Sequence, residues 1–221
     1  MGESATALQR LDEITRRLRT ECPWDREQDE RSIVPHTVEE AYELADAAYA
    51  GDDAKLLDEL GDVLFQVYFL SLLMEERGAG DLAAVADHCR TKLIRRHPHV
   101  FGDVEAADAS EVLRNWDEIK RTEEGRGGEL FAGLPETLPG LLYASKVLRR
   151  GGSSQRAGKL RSEADRAAAQ AASESHPDAR FETVGDLLLA AVALARELRV
   201  DPELAVRAAA DRFRGEREAE T

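Results

Sequence analysis

Apolar residues recur along most of this chain at intervals of three and four, and alternation with a period of two is nowhere sustained. That pattern predicts amphipathic helices separated by Pro and Gly punctuation, hence an all-α protein built as a helical bundle. Leu8, Leu11, Ile14 and Leu18 make one stripe of a first helix, which ends before a turn at Glu21-Cys22-Pro23-Trp24-Asp25. Pro35 stops the loop that follows. Thr37 is placed to N-cap a second helix whose buried face is Val38, Ala41, Tyr42, Ala45 and Ala48. Gly51-Asp52-Asp53 supplies a short turn into a long third helix from Asp53 to Arg77, so the second and third helices form an antiparallel pair. Asp81 starts a fourth helix that reaches a break at His97-Pro98-His99, and Ser110 caps a fifth through Val112, Leu113, Trp116 and Ile119.

Gly125-Arg126-Gly127-Gly128 reads as a linker, which divides the chain into a helical domain over 1–124, a Gly-rich connection over 125–134 and a second helical domain over 135–221. The second domain opens with a helix to Arg150, followed by a flexible loop at Gly151-Gly152-Ser153-Ser154 and further helices. Within it, Glu182-Thr183-Val184-Gly185-Asp186-Leu187-Leu188 echoes Asp58-Glu59-Leu60-Gly61-Asp62-Val63-Leu64 at a spacing of 124 residues, the mark of an internal duplication. The second copy keeps the helices and loses the acids: Thr183 stands where Glu59 does, and alanines replace the acidic run upstream.

Composition narrows the function. In a chain of 221 residues, 43% hydrophobic content suffices for a buried core, while a formal net charge of −14 repels nucleic-acid polymers and anionic membrane surfaces. Any polyanion bound here needs a local cluster of Lys and Arg, or a metal. The two cysteines, Cys22 and Cys89, show no zinc spacing and read as small buried residues of a cytoplasmic protein. The longest apolar run, Val63 to Met74, is too short to span a bilayer.

The acidic positions supply the candidate chemistry. At 100° per residue Glu40 and Glu43 lie about 60° apart on one helix, with Glu39 about 40° from Glu43, and Glu59 and Asp62 lie about 60° apart on the next. Pairing the two helices brings oxygen ligands together, a setting for a hard cation such as Mg²⁺ or Mn²⁺ whose charge offsets their repulsion. Competing readings are ordinary ones. Thr37 to Glu40 fits a capping box, Glu39, Glu43 and Asp46 fit a solvated face, and Lys55 fits an i, i+4 pair with Glu59. The solvated reading is weakest for Asp62, which precedes an almost wholly apolar helix, because a buried carboxylate is costly unless paired or coordinated.

Glu39, Glu40, Glu43, Glu59 and Asp62 spell Glu-Glu-x-x-Glu, 15 residues, Glu-x-x-Asp, and in this respect the chain resembles the MazG family of all-α nucleoside triphosphate pyrophosphohydrolases. Cys22-Pro23-Trp24-Asp25-Arg26-Glu27-Gln28, Arg95 through Phe101, and Trp116 through Lys120 extend the resemblance in the family's order. It implies Mg²⁺ held by Glu40, Glu43, Glu59 and Asp62, with Mn²⁺ as a substitute, and Glu39 as an acid that orients or deprotonates water. Lys55, Lys92, Arg95, Arg96 and Lys120 match positions around the triphosphate, and Trp116 an aromatic near the base. Lys92 and Arg96 are i, i+4, as are Trp116 and Lys120, so each pair points to one side. The bland alternatives are a cation-decorated helix C-terminus for Arg95 and Arg96, a core position for Trp116, and packing roles for His97 and His99. The implied reaction is hydrolysis of a nucleoside triphosphate to monophosphate and pyrophosphate, serving to clean the nucleotide pool, in a homodimer whose C-terminal half is structural or regulatory. Its rivals are an enzyme narrowed to dUTP, dCTP or phosphoribosyl-ATP, and a silent helical module that only dimerises.

Overall fold

The computed structural model describes residues 2–122, 130–131, 133–152 and 157–220, and every regular element among them is a helix. They are α1 (Glu3–Glu21), α2 (Pro23–Glu27), α3 (Glu30–Ala50), α4 (Asp53–Glu76), α5 (Leu82–Arg96), α6 (Pro98–Phe101), α7 (Ala109–Thr122), α8 (Gly140–Gly151), α9 (Ala157–Ser173), α10 (Pro177–Glu197) and α11 (Pro202–Ala219). The chain forms two compact units, Met1–Val112 and Leu113–Thr221, with the division inside α7. The Gly-rich linker expected at 125–128 and the loop at Ser153-Ser154 lie outside the described residues.

The first unit is organised by the α3–α4 hairpin. Gly51 closes α3 in the left-handed conformation at φ 69°, which costs glycine nothing. Asp52 then caps α4, its carboxylate accepting the Ala54 and Lys55 N–H groups at 3.1 Å each. At the open end Arg77 pairs with Glu30 at 2.7 Å. Ile33, Phe69 and Leu73 form the buried core between the helices, with Phe65 and Leu70 packed on it. α1 and α5 dock on α4, and α2 and α6 are single turns at the corners.

Several boundaries differ from those read in the sequence, each for a local reason. The expected turn at Cys22–Asp25 is the short helix α2, with Pro23 in the first turn, where its missing N–H leaves no bond unmade. Pro35 does not stop a loop: α3 begins at Glu30 under an Asp29–Ser32 capping box, and Pro35 is carried inside it. Thr37 is therefore no cap, and the capping-box reading of Glu40 falls with it. The buried face of α3 is turned accordingly. Ile33 and Ala47 are buried, whereas Val38, Ala41 and Ala48 are exposed. In α1 the stripe Leu8, Ile14, Leu18 faces outward, and the buried position is Thr15, whose hydroxyl donates to the Leu11 carbonyl at 2.9 Å. α7 begins at Ala109, one residue before the expected cap position 110, and Asp108 accepts the Glu111 N–H at 2.9 Å. Cys89 is exposed and Cys22 half-buried, so neither is a core residue.

In the second unit α9 packs along α10 as α3 does along α4, and α8 and α11 complete the group. Thr183 is buried on α10, as Glu59 is on α4, with its hydroxyl donating to the Arg180 carbonyl at 3.0 Å.

Candidate functional site

The α3–α4 hairpin brings one carboxylate oxygen from each of Glu40, Glu43 and Glu59 within 4.8 Å of the others. Helical periodicity places Glu40 and Glu43 on adjacent positions of α3, and the antiparallel return of α4 sets Glu59 opposite. Just inside this group the Thr37 hydroxyl donates to Gln66 Oε1 at 3.3 Å, a polar rung that fixes the two helices in register. Glu59 is buried at 5% exposure, Glu40 is half-buried and Glu43 is open to solvent.

The electrostatics are those of crowded like charges. Burial pushes the Glu40 carboxyl above the ordinary glutamate range, and Asp62, Glu43, Glu59 and Glu39 push it the same way. Glu59 is raised too, first by burial and then by Glu43, against an opposing pull from Lys55, whose Nζ stands 3.9 Å from Glu59 Oε1. Asp62 is exposed and acts on both Glu40 and Glu59 through its charge, but its oxygens lie outside the tight group of three. A divalent cation fits this donor set: all-oxygen, hard, presented by two rigid helices, and in need of positive charge. The cluster is thus one that can hold a metal ion.

Other residues singled out in the sequence are distributed as follows. Glu39 turns toward His36, its Oε2 3.7 Å from Nδ1. Lys92, Arg95 and Arg96 ride on α5, which packs against α4; Arg96 is buried at 8% exposure, Lys92 half-buried and Arg95 exposed. Trp116 and Lys120 lie in the second unit, where Lys120 Nζ sits 4.6 Å from the Trp116 ring centre and the Arg149 guanidinium of α8 sits 5.9 Å from it. The rings of His97 and His99 lie 5.6 Å apart, tilted at 58° to one another.

Two groups have contacts to which the sequence pattern assigns no role. Arg19 reaches Glu76 through two hydrogen bonds of 2.8 and 2.9 Å, donates to the carbonyls of Asp25 and Gln28, and lies 5.8 Å from the Phe69 ring. It clamps the α2 corner to α4. Trp24, on that corner, meets His36 edge to face at 5.9 Å. His36 carried a signal, since it stands four residues before Glu40 on the same face.

Comparison with known proteins places this arrangement. The MazG nucleotide pyrophosphohydrolase domain family matches residues 28–101, which contain the whole α3–α4 hairpin, its acids and its Asp29 cap. Over 220 residues the chain is 38% identical to the nucleoside triphosphate pyrophosphohydrolase of Escherichia coli strain K12, covering 93% of this chain and 84% of that protein. It is 34% identical over 220 residues to the nucleoside triphosphate pyrophosphohydrolase/pyrophosphatase MazG of Thermotoga maritima, covering 96% of this chain and 85% of that one. No described helix is long and apolar enough to cross a membrane. On the extent of these matches and the carboxylates they include, the chain belongs to the MazG nucleotide pyrophosphohydrolase family.

Proposed function

We propose that this protein hydrolyses nucleoside triphosphates to monophosphate and pyrophosphate in a Mg²⁺-dependent reaction that clears unwanted nucleotides from the pool. The observation that carries the reading is the close approach of Glu40, Glu43 and Glu59, with their mutual repulsion unrelieved by anything but Lys55 among the contacts above. Mg²⁺, held by Glu40, Glu43 and Glu59 with Asp62 at the rim, would neutralise charge on the triphosphate and lower the pKa of the attacking water.

The chain's own groups do the rest. Water oxygen bonds to the α-phosphorus, the bond from that phosphorus to the bridging oxygen breaks, and pyrophosphate leaves with the electron pair. Glu39, exposed at the lip of the cluster, takes the proton from the water. Lys55, half exposed beside Glu59, presents its ammonium to the triphosphate, and Lys92, Arg95 and Arg96 add charge from α5. Local cations of this kind are what a chain of net charge −14 requires to hold a polyanion.

A homodimer accompanies this reading. Leu57, Leu60, Leu64 and Val67 form an exposed stripe on α4 with the three–four spacing of a coiled-coil seam, and Val34 and Val38 on α3 are also exposed. A second copy laying the same face against it would bury that surface. The second unit, with Thr183 in place of a ligand, acts as a structural or regulatory part.

The test is release of pyrophosphate from a panel of ribo- and deoxynucleoside triphosphates, with Mg²⁺ and with EDTA. Glu59→Gln and Asp62→Asn are expected to fold and to lose nearly all metal-dependent turnover. Wild-type rates in either variant would sink the ligand assignment, and no release from any nucleotide by the folded wild type would sink the activity.

A further inference from the structure

The seam of the α3–α4 hairpin is laid out in layers. From the Gly51 turn inward, Glu43 faces Glu59, Glu40 faces Asp62, Thr37 faces Gln66, and Ile33 packs with Phe69, in steps of three or four residues on both helices. The charges report the same register: after burial, Asp62 raises the Glu40 carboxyl most and Glu43 raises Glu59 most. The third layer is thus the boundary between the carboxylates and the apolar core. Gln66 is 6% exposed there, and the hydroxyl of Thr37, 3.3 Å from Oε1, is its one side-chain hydrogen-bond partner among the described residues. The two N–H donors of its amide are therefore left for a partner that the hairpin itself does not supply. At 100° per residue Gln66 lies about 40° from Asp62 and about 20° from Glu59, so it shares their face of α4.

Packing gives no reason for an amide at this place. A buried glutamine loses much rotamer freedom on folding, and an apolar pair of the same shape would serve the seam as well or better. The second hairpin does without one: seven residues beyond Glu59 stands Gln66, whereas seven beyond Thr183 stands Ala190, half-buried. Where the acid is lost, the amide is lost with it. We propose that Gln66 is a positioning residue of the carboxylate site: held through its oxygen by Thr37, it donates from its nitrogen to the adjacent layer of Glu40 and Asp62 and so sets how tightly a divalent cation is bound. The inference rests on the metal-dependent reading above and adds a contact behind its ligands. A carboxylate that gives one oxygen to a cation turns about its last bond unless the other oxygen is held, and an N–H bond to that oxygen fixes it. A neutral amide does this without bringing a charge, whereas an ammonium in the same place would compete with the cation.

The full-length protein, free of nucleotide, is titrated with Mn²⁺ alone by calorimetry, and each variant is also unfolded in urea without metal. Gln66→Met, which keeps the length of the side chain and removes the amide, should weaken Mn²⁺ binding about 10- to 100-fold, the scale of a lost contact behind a metal ligand. Its urea midpoint should stay level or rise, since the seam gains an apolar group. Thr37→Val should weaken binding in the same direction, Thr37→Ser should restore it, and the double variant Thr37→Val, Gln66→Met should bind no more weakly than Gln66→Met alone, because the two act as a unit. Leu73→Val, in the core beyond the rung, should lower the urea midpoint and leave Mn²⁺ affinity as it was. A loss of affinity in Leu73→Val equal to that in Gln66→Met would make the effect one of general loosening and overturn the proposal. If Gln66→Met does not fold, Thr37→Val decides, and unchanged affinity there overturns the proposal. A wild type that binds no Mn²⁺ overturns the metal reading and this role together, whereas a wild type that binds it, with Gln66→Met binding equally well, overturns the role of Gln66 alone.

Discussion

Replacement of Arg19 by alanine tests how the first unit holds its corner. The guanidinium makes three kinds of contact at once. Its two bonds to Glu76, at 2.8 and 2.9 Å, join α1 to the end of α4, and with the arginine side chain 16% exposed and the glutamate 42% exposed this pair contributes about 0.5–1 kcal/mol. Its other nitrogen serves the carbonyls of Asp25, which also accepts the Gln28 N–H at 3.3 Å, and Gln28, and losing that donor costs about 1 kcal/mol for each acceptor. The contact with the Phe69 ring at 5.8 Å adds about 0.5 kcal/mol. Arg19→Ala should therefore destabilise the first unit by about 3 kcal/mol. Arg19→Lys, which keeps a charge but loses the planar fork, should recover about 1 kcal/mol of that.

Urea unfolding followed by circular dichroism measures this as a fall in midpoint at constant slope. The corner also carries Trp24, so the same variant should shift indole emission toward that of free solvent before global unfolding begins. A loss below about 0.5 kcal/mol, the level of an ordinary surface substitution, would refute the clamp and show that α2 is held by its packing alone. Full recovery in Arg19→Lys would refute the importance of the fork.

Two further outcomes follow from the same contacts. Hydrogen bonds from Arg16 and Arg19 hold the Glu75 and Glu76 carboxyls below their ordinary value of 4.5, so the stability they confer is complete above about that pH and is lost as the pH falls through the lowered folded values; the urea midpoint should drop in that acid window, and drop less in the Glu75→Gln, Glu76→Gln double variant. Lysines at Leu60 and Leu64 together should convert a dimer to monomer in sedimentation velocity without loss of helical signal, and an unchanged mass would move the dimer contact elsewhere.

Helix type and most helix ends were legible because local rules govern them. Asp81 at the start of α5, Gly51 and Asp52 at the hairpin turn, and the span of α4 follow from caps and glycine. The misreadings arose where tertiary contact or position overrides a local signal. Proline is tolerated in a first turn, where its N–H is not needed. In α3 Pro35 is the sixth residue, so the helix runs through it without the bond to the Arg31 carbonyl. That shift turned the helix and exchanged the faces: an Ala- and Val-rich stripe, which hydrophobicity alone assigns to the core, faces outward, while Thr37 and Glu40 face α4. Similarly, α1 docks on α4 through Thr15 and Arg16 and leaves Ile14 at 51% exposure. A stripe is no less apolar for being outside, and sequence periodicity cannot tell which partner will cover it.

The carboxylates were legible for a different reason, since their separations on a helix follow from its geometry whatever surrounds them. What the hairpin adds is a contrast in cost. Positions 59 and 183 are both buried on the second helix of a two-helix hairpin. In the second unit the slot holds threonine, whose hydroxyl is satisfied by the carbonyl of Arg180 at 3.0 Å, so the fold needs no charge there. In the first it holds Glu59, raised by burial and by Glu43, with Lys55 at the long distance of 3.9 Å as its ion-pair partner. A small hydroxyl serves packing well, and a glutamate in the same place works against it. Packing does not explain the carboxylate, and in the metal-dependent reading proposed above the repulsion that makes it costly is the same property that makes a divalent cation welcome.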